Sequence, residues 1–139
     1  MKFVLILPQQ QTMETVDCAD MSEALHRASL TVGEVDFGSL TRRIGYVVHQ
    51  FGLFMPPAEQ SYSAIGDTLI AGPCVLFGVD EGGETIDLLA VEAPEPRFFA
   101  GVNEVEAAIR IGQIRRPTMA VNGQVIWQWP QPAPAGIIN

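Results

Sequence analysis

Few side chains in this chain can do acid–base, nucleophilic or metal chemistry, and their spacing says what they could achieve. His26 and His49 are the only imidazoles. A metal site built from nearby residues shows spacings such as H-x-x-x-H or C-x-x-C, because one helical turn or tight loop must aim several lone pairs at one point. Neither pattern is present, so His26 reads as a polar-face helix residue and His49 as a strand-end residue, and no metal is expected. A serine nucleophile on a strand-to-helix elbow would show as G-x-S-x-G. That pattern is also missing, and Ser39 and Ser63 read as loop serines. Cys18 and Cys74 stand far apart, and Cys74 lies in the apolar run ending Val75-Leu76-Phe77, where a buried, inert thiol is the common state.

The acidic stretch Asp80-Glu81-Gly82-Gly83-Glu84 with Asp87 lacks the alternating oxygen ligands and distal glutamate of a calcium loop, and reads as a hairpin turn. No G-x-G-x-x-G or Walker loop is present to cradle phosphate, so no cofactor and no catalytic residue is assigned. Arg115-Arg116, with Arg110 nearby, form the basic cluster. Such a pair can grip a phosphate or a carboxylate bidentately, or can complement the C-terminal end of a helix. Trp127 and Trp129, two residues apart, fall on one side of a final strand. Core packing accounts for one of them, while two tryptophans beside arginines also suit a protein interface, so both readings stand.

The elements that must position these residues follow from pattern. Phe3–Leu7 is an apolar strand, and Met13–Val16 can pair with it across Gln9-Gln10-Gln11. Asp20 and Glu23 form a capping box opening a helix over about 21–31, with Met21, Ala24, Leu25 and Ala28 on its apolar face. Alternation marks strands at Val35–Phe37 and Ile44–Val48, and Phe51-Gly52 reads as a hairpin turn leading into Leu53–Met55. Thr68–Val79 is the most hydrophobic segment, bent at Gly72-Pro73, with Thr85–Val91 as its partner. Ala58–Ala64 reads as a loop or single helical turn, and Pro94 and Pro96 as a stiff connection. Asn103 and Glu106 cap a second helix over about 104–111, which Gly112 ends. Met119–Val121, Asn122-Gly123 and Val125–Trp127 spell a strand, a type I′ turn and a strand. The expectation is an α+β fold, mostly antiparallel sheet with two short capped helices and a C-terminal β-hairpin. Residues 1–129 form one domain, and 130–139 a proline-rich tail packed on the body or a neighbouring subunit.

Bulk properties bound the function. The chain has 139 residues, 47% hydrophobic and 17% charged, enough for one core and far from the composition of disorder. Its net charge is −8, with Lys2 the only lysine, so nucleic acid and anionic membrane are excluded as partners. The N-terminal apolar run is too short for a signal peptide and no stretch is long enough to span a bilayer, so a cytoplasmic protein is expected.

One segment has a familiar order: Val32-Gly33-Glu34-Val35, Tyr46-Val47-Val48, Gly52-Leu53-Phe54, then Ile65 to Pro73 leading to Val79-Asp80-Glu81-Gly82-Gly83-Glu84. Over roughly residues 32–90 this resembles a family of short uncharacterised proteins encoded by phages and mobile plasmids. The resemblance implies a mobile-element accessory role, in the host cytoplasm or the virion, and brings no activity. With the residues above it leads to a non-catalytic protein acting through an interaction surface. Its partner is itself, as a homo-oligomer, or another protein. Arg115, Arg116, Trp127, Trp129, Ile137 and Ile138 are the interface candidates. A virion structural or decoration protein is an alternative. So is a small-molecule binder or enzyme in which Arg115, Arg116, His49 and loop carboxylates converge from separate elements.

Overall fold

Within residues 1–134, which the computed structural model describes, the strand patterns resolve into three separate sheets. β1 (Lys2–Leu7) turns at Pro8–Gln11 into antiparallel β2 (Thr12–Asp17). β1 is apolar from Phe3 to Leu7 because both its faces are covered: Phe3 and Leu5 pack on one side, Val4 and Ile6 on the other. The Asp20 half of the capping box holds at the start of α1 (Met21–Arg27), while Glu23 reaches one residue past the N-cap. The Asp20 carboxylate accepts the Glu23 N–H at 3.0 Å, and the Glu23 carboxylate accepts the Ala19 N–H. The helix ends four residues short of the expected 31. Ser29 takes the left-handed conformation (φ 60°), and the Ser29 and Leu30 N–H groups bond to His26 O and Leu25 O. That pair of hydrogen bonds closes the helix and tucks Leu30 into the core with Leu25.

β3 (Val35–Ser39), β4 (Ile44–His49), β5 (Tyr62–Ile65), β6 (Thr68–Ala71) and β7 (Cys74–Val79) follow, with β8 (Thr85–Ile86) pairing the end of β7. The main sheet runs β2-β1-β7-β4-β3 and is antiparallel throughout. Two glycines in it sit opposite aromatic rings. An added Cβ at Gly38 would meet the Tyr46 ring at 2.3 Å, and one at Gly45 would meet the Phe77 ring at 2.3 Å. Each ring lies across its registered partner, a device that fills the hollow left by a glycine in a strand.

Several sequence expectations change here. Phe51-Gly52 is not a hairpin turn and Leu53–Met55 is not a strand; Gly52–Phe54 forms a 3-10 turn, and Gly52 backs onto Ala71 so closely that a Cβ would come within 3.0 Å of its carbonyl oxygen. The bend at Gly72-Pro73 is a change of sheet. β6 lies in a second sheet, β6-β5-β9, and β7 is central in the first, because Gly72 turns left-handed and Pro73 has no N–H to continue the ladder. Ala58–Ala64 runs into β5, the middle strand of that second sheet, so Ser63 is fully buried and not a loop serine. The partner expected over Thr85–Val91 shrinks to β8, and the proline connection contains β9 (Arg97–Phe99).

α2 (Val102–Arg110) is opened by Gly101 without a side-chain cap, so Asn103 is not its cap and Glu106 closes no box. Glu104 accepts the Ala100 N–H instead, and Glu106 is engaged elsewhere. Gly112 (φ 79°) ends the helix as expected. The C-terminal hairpin is present as β10 (Thr118–Val121) and β11 (Gln124–Gln128), with Asn122 and Gly123 both at positive φ. The α+β architecture therefore holds, as four layers. α1 covers one face of the main sheet, through Leu25, Leu5, Val47 and Val75. The other face, through Ile6, Cys74 and Leu76, packs on Ile65 and Ile70 of the second sheet. The far side of that sheet, with Tyr62, Leu69 and Phe99, meets α2 and the hairpin. Among the described residues no helix is long and apolar enough to cross a membrane.

Candidate functional site

The second sheet is narrower than the first, and where the main sheet runs past it an open cleft of about 540 Å³ forms. One wall is β4, with Tyr46, Val48 and His49, joined by Asp36 of β3, the registered partner of Val48. The opposite wall is β6, with Leu69, and the segment from Arg115 to Met119. Phe54 and Trp127 pack together in the lining, ring centroids 4.6 Å apart and planes tilted by 58°. The volume falls within the range of small-ligand pockets, and the cleft is open to solvent.

The cleft gathers what the sequence could propose only from separate elements: His49, Arg115, Arg116 and the loop carboxylate Asp67 all line it. Their polar groups are largely engaged with the scaffold. Arg115 Nε lies 2.9 Å from Asp67 Oδ2, and the Arg115 N–H donates to the Asp67 carbonyl at 2.8 Å. Arg116 grips Glu106 with both nitrogens, at 2.8 and 2.7 Å, and donates to the Trp129 carbonyl at 2.7 Å. This fork is the bidentate carboxylate grip that the sequence allowed, made within the chain. It holds the Glu106 carboxyl below its usual range and raises Arg116. His49 Nδ1 accepts the Phe51 N–H at 3.0 Å, which leaves the proton of the neutral ring on Nε2, 3.6 Å from Glu34. Among the described residues no three His, Cys, Asp or Glu side chains are grouped as metal ligands.

The tryptophans go elsewhere than to a surface. Trp129 follows β11 and is fully buried, and Trp127 is 4% exposed, so core packing takes both and neither is an exposed interface anchor. Each indole N–H finds an internal acceptor, Trp127 to Gln131 O at 2.9 Å and Trp129 to Tyr62 Oη at 3.2 Å, which is what makes burial of the polar edge tolerable. Burial raises the Tyr62 phenol. Ile137 and Ile138 lie outside the described residues. Cys18 and Cys74 are free thiols on opposite faces of the main sheet, and burial pushes Cys74 to about 12 and also raises Cys18.

Sequence reasoning missed Asp36, Tyr46, Phe54 and Leu69 as cleft residues, because nothing local to them signals that β4 and β6 face each other across a gap. No protein-family model, curated protein or solved structure matches this chain.

Proposed function

We propose that the chain is a non-catalytic accessory protein of a phage or similar mobile element, which works by holding a segment of a partner protein in the cleft between β4, β6 and Arg115–Met119. The observation that carries this reading is the composition of the cleft. Half-buried Tyr46, Val48, Phe54 and Met119 give its lining an apolar and aromatic character, and Asp36, His49 and Arg115 add polar groups to it. Apolar lining supplies affinity and a few polar groups supply orientation. The non-catalytic half is supported by the engagement of the reactive groups. Arg116 is spent on Glu106 and Trp129, His49 Nδ1 on the Phe51 amide, and both thiols are buried. The mobile-element setting rests on the resemblance over residues 32–90, and the host cytoplasm or the virion is the matching place of action.

A photocrosslinking amino acid at Asp36, inside the cleft, and at Glu14, exposed on β2 at the far edge of the main sheet, tests it in cells of the native host. Expected is one partner peptide recurring at Asp36 and not at Glu14, and lost when Val48→Trp fills the cleft. Identical adducts at both positions, or adducts indifferent to Val48→Trp, would sink the proposal.

A further inference from the structure

The charge of this chain is distributed in a way that bears on what its C-terminal hairpin can touch. Every Asp, Glu, Lys, Arg and His lies at or before Arg116, so residues 117–139 carry no ionisable side chain in a protein of net charge −8. Among the described residues β10 and β11 pair only with each other. Met119 and its partner Trp127 turn inward to the core. The register then slips between Met119 and Ala120, so Ala120 faces Val125 and Ile126 becomes the extra, bulged residue. Beyond the slip the hairpin leaves the body, and Val121, Val125 and Ile126 are 51%, 55% and 46% exposed.

Apolar side chains are exposed elsewhere too, but within two residues of a charge: Phe37 follows Asp36, Val91 precedes Glu92, Ile111 follows Arg110, and Val32 and Leu89 lie two residues from Glu34 and Asp87. The hairpin face is the apolar cluster without one. A two-stranded hairpin is marginal alone in water, and contiguous apolar exposure on it calls for cover.

We infer that the hairpin face of Ala120, Val125 and Ile126 is a self-association surface whose occupant is the same face of a second copy. The charge pattern selects this occupant. In a two-fold contact each patch meets its own image, so any unpaired charge on it faces a like charge. Two molecules of net charge −8 repel over most of their surfaces, and they can approach closely where neither carries charge. This goes beyond the cleft reading and does not depend on it. The hairpin spans only Thr118–Gln128, less than a standard interface supplies, so the dimer is weak, with a Kd on the order of 100 µM.

Sedimentation velocity of the full chain, at concentrations bracketing roughly 100 µM, reads this directly. Expected is a monomer–dimer equilibrium that strengthens with added salt, since salt screens the mutual repulsion and no ion pair holds the contact. Val125→Glu, and separately Ala120→Glu on the other strand, should each weaken Kd by at least about tenfold while leaving the near-ultraviolet circular dichroism of Trp127 unchanged. Should a variant fail to fold, amide exchange of the unaltered protein decides instead, with Val121–Ile126 gaining protection as concentration rises. A monomer throughout the range overturns the inference. So does a dimer that weakens with salt, a dimer indifferent to both glutamates, or exchange at 121–126 that ignores concentration.

Discussion

Replacing Ser63 by alanine removes a single oxygen from the layer between the two larger sheets. Ser63 sits in the middle strand of the second sheet, opposite Ile70 and Phe98, on the face that packs toward the main sheet. It is fully buried and its hydroxyl has no hydrogen-bond partner among the described residues. A buried, unpaired hydroxyl costs about 1–3 kcal/mol in lost hydration. Alanine removes that cost and leaves a void of about one oxygen atom, worth roughly 0.4 kcal/mol at the usual cavity coefficient. The balance favours the variant by about 1 kcal/mol, where most buried substitutions destabilise. In urea the midpoint should rise by about 0.5 M with an unchanged slope. Ser63→Val is the comparison, since its second methyl must find room and its gain should be smaller or reversed. A fall of about 1 kcal/mol for Ser63→Ala would refute the reasoning, since it would mean that the hydroxyl is bonded in solution, as to a trapped water.

Three other perturbations follow from specific contacts. Arg116→Met breaks the Glu106 fork and strands the Trp129 carbonyl, and should cost about 1–3 kcal/mol by thermal or urea melts, with Arg116→Lys recovering only part. Because Arg116 lowers the Glu106 pKa, the fork contributes fully above the unfolded carboxyl value. Its contribution is lost as pH falls below that value and through the folded one, so melts from about pH 6 to pH 2 should show a shallower acid loss in Arg116→Met. Gly45→Ala drives a methyl into the Phe77 ring and should destabilise by about 1–3 kcal/mol, and a melting point within error of the parent protein's would contradict that packing. Both thiols are buried, and Cys74 is pushed up to about 12, so neither should react with a disulfide reagent at pH 8 until urea unfolds the chain; one rapid equivalent from the native protein would refute this.

What the chain betrays of its fold is what local chemistry dictates. Asn122-Gly123 demands a turn with two positive φ values, and it is there. Asp20 and Glu23 announce the start of α1 three residues apart. The end of α1 was hidden because Ser29, a residue with no strong left-handed preference, takes the role that glycine usually fills. β5 and β9 were hidden because strands of four and three residues, buried on both faces or flanked by prolines, leave no alternation to read. The change of sheet at Gly72-Pro73 was visible as punctuation but not as topology. The cleft is a product of that topology, joining β3 and β4 to residues near 67 and 115. Arg116 was legible as a bidentate donor, yet its acceptor is Glu106, a residue that the helix pattern had assigned to a cap.

The rings laid over Gly38 and Gly45 carry a spectroscopic signature. A proton on each glycine α-carbon points at the aromatic carbons of Tyr46 or Phe77, inside the shielding region of the ring current. Those two protons should resonate well upfield of ordinary glycines. Because both pairs bridge neighbouring strands, β3 to β4 and β4 to β7, the shifts exist only while that half of the main sheet is zipped. One proton spectrum thus reports the closure of the sheet residue by residue, without labels or a partner, and tells a variant that has lost its contacts from one that has lost its fold.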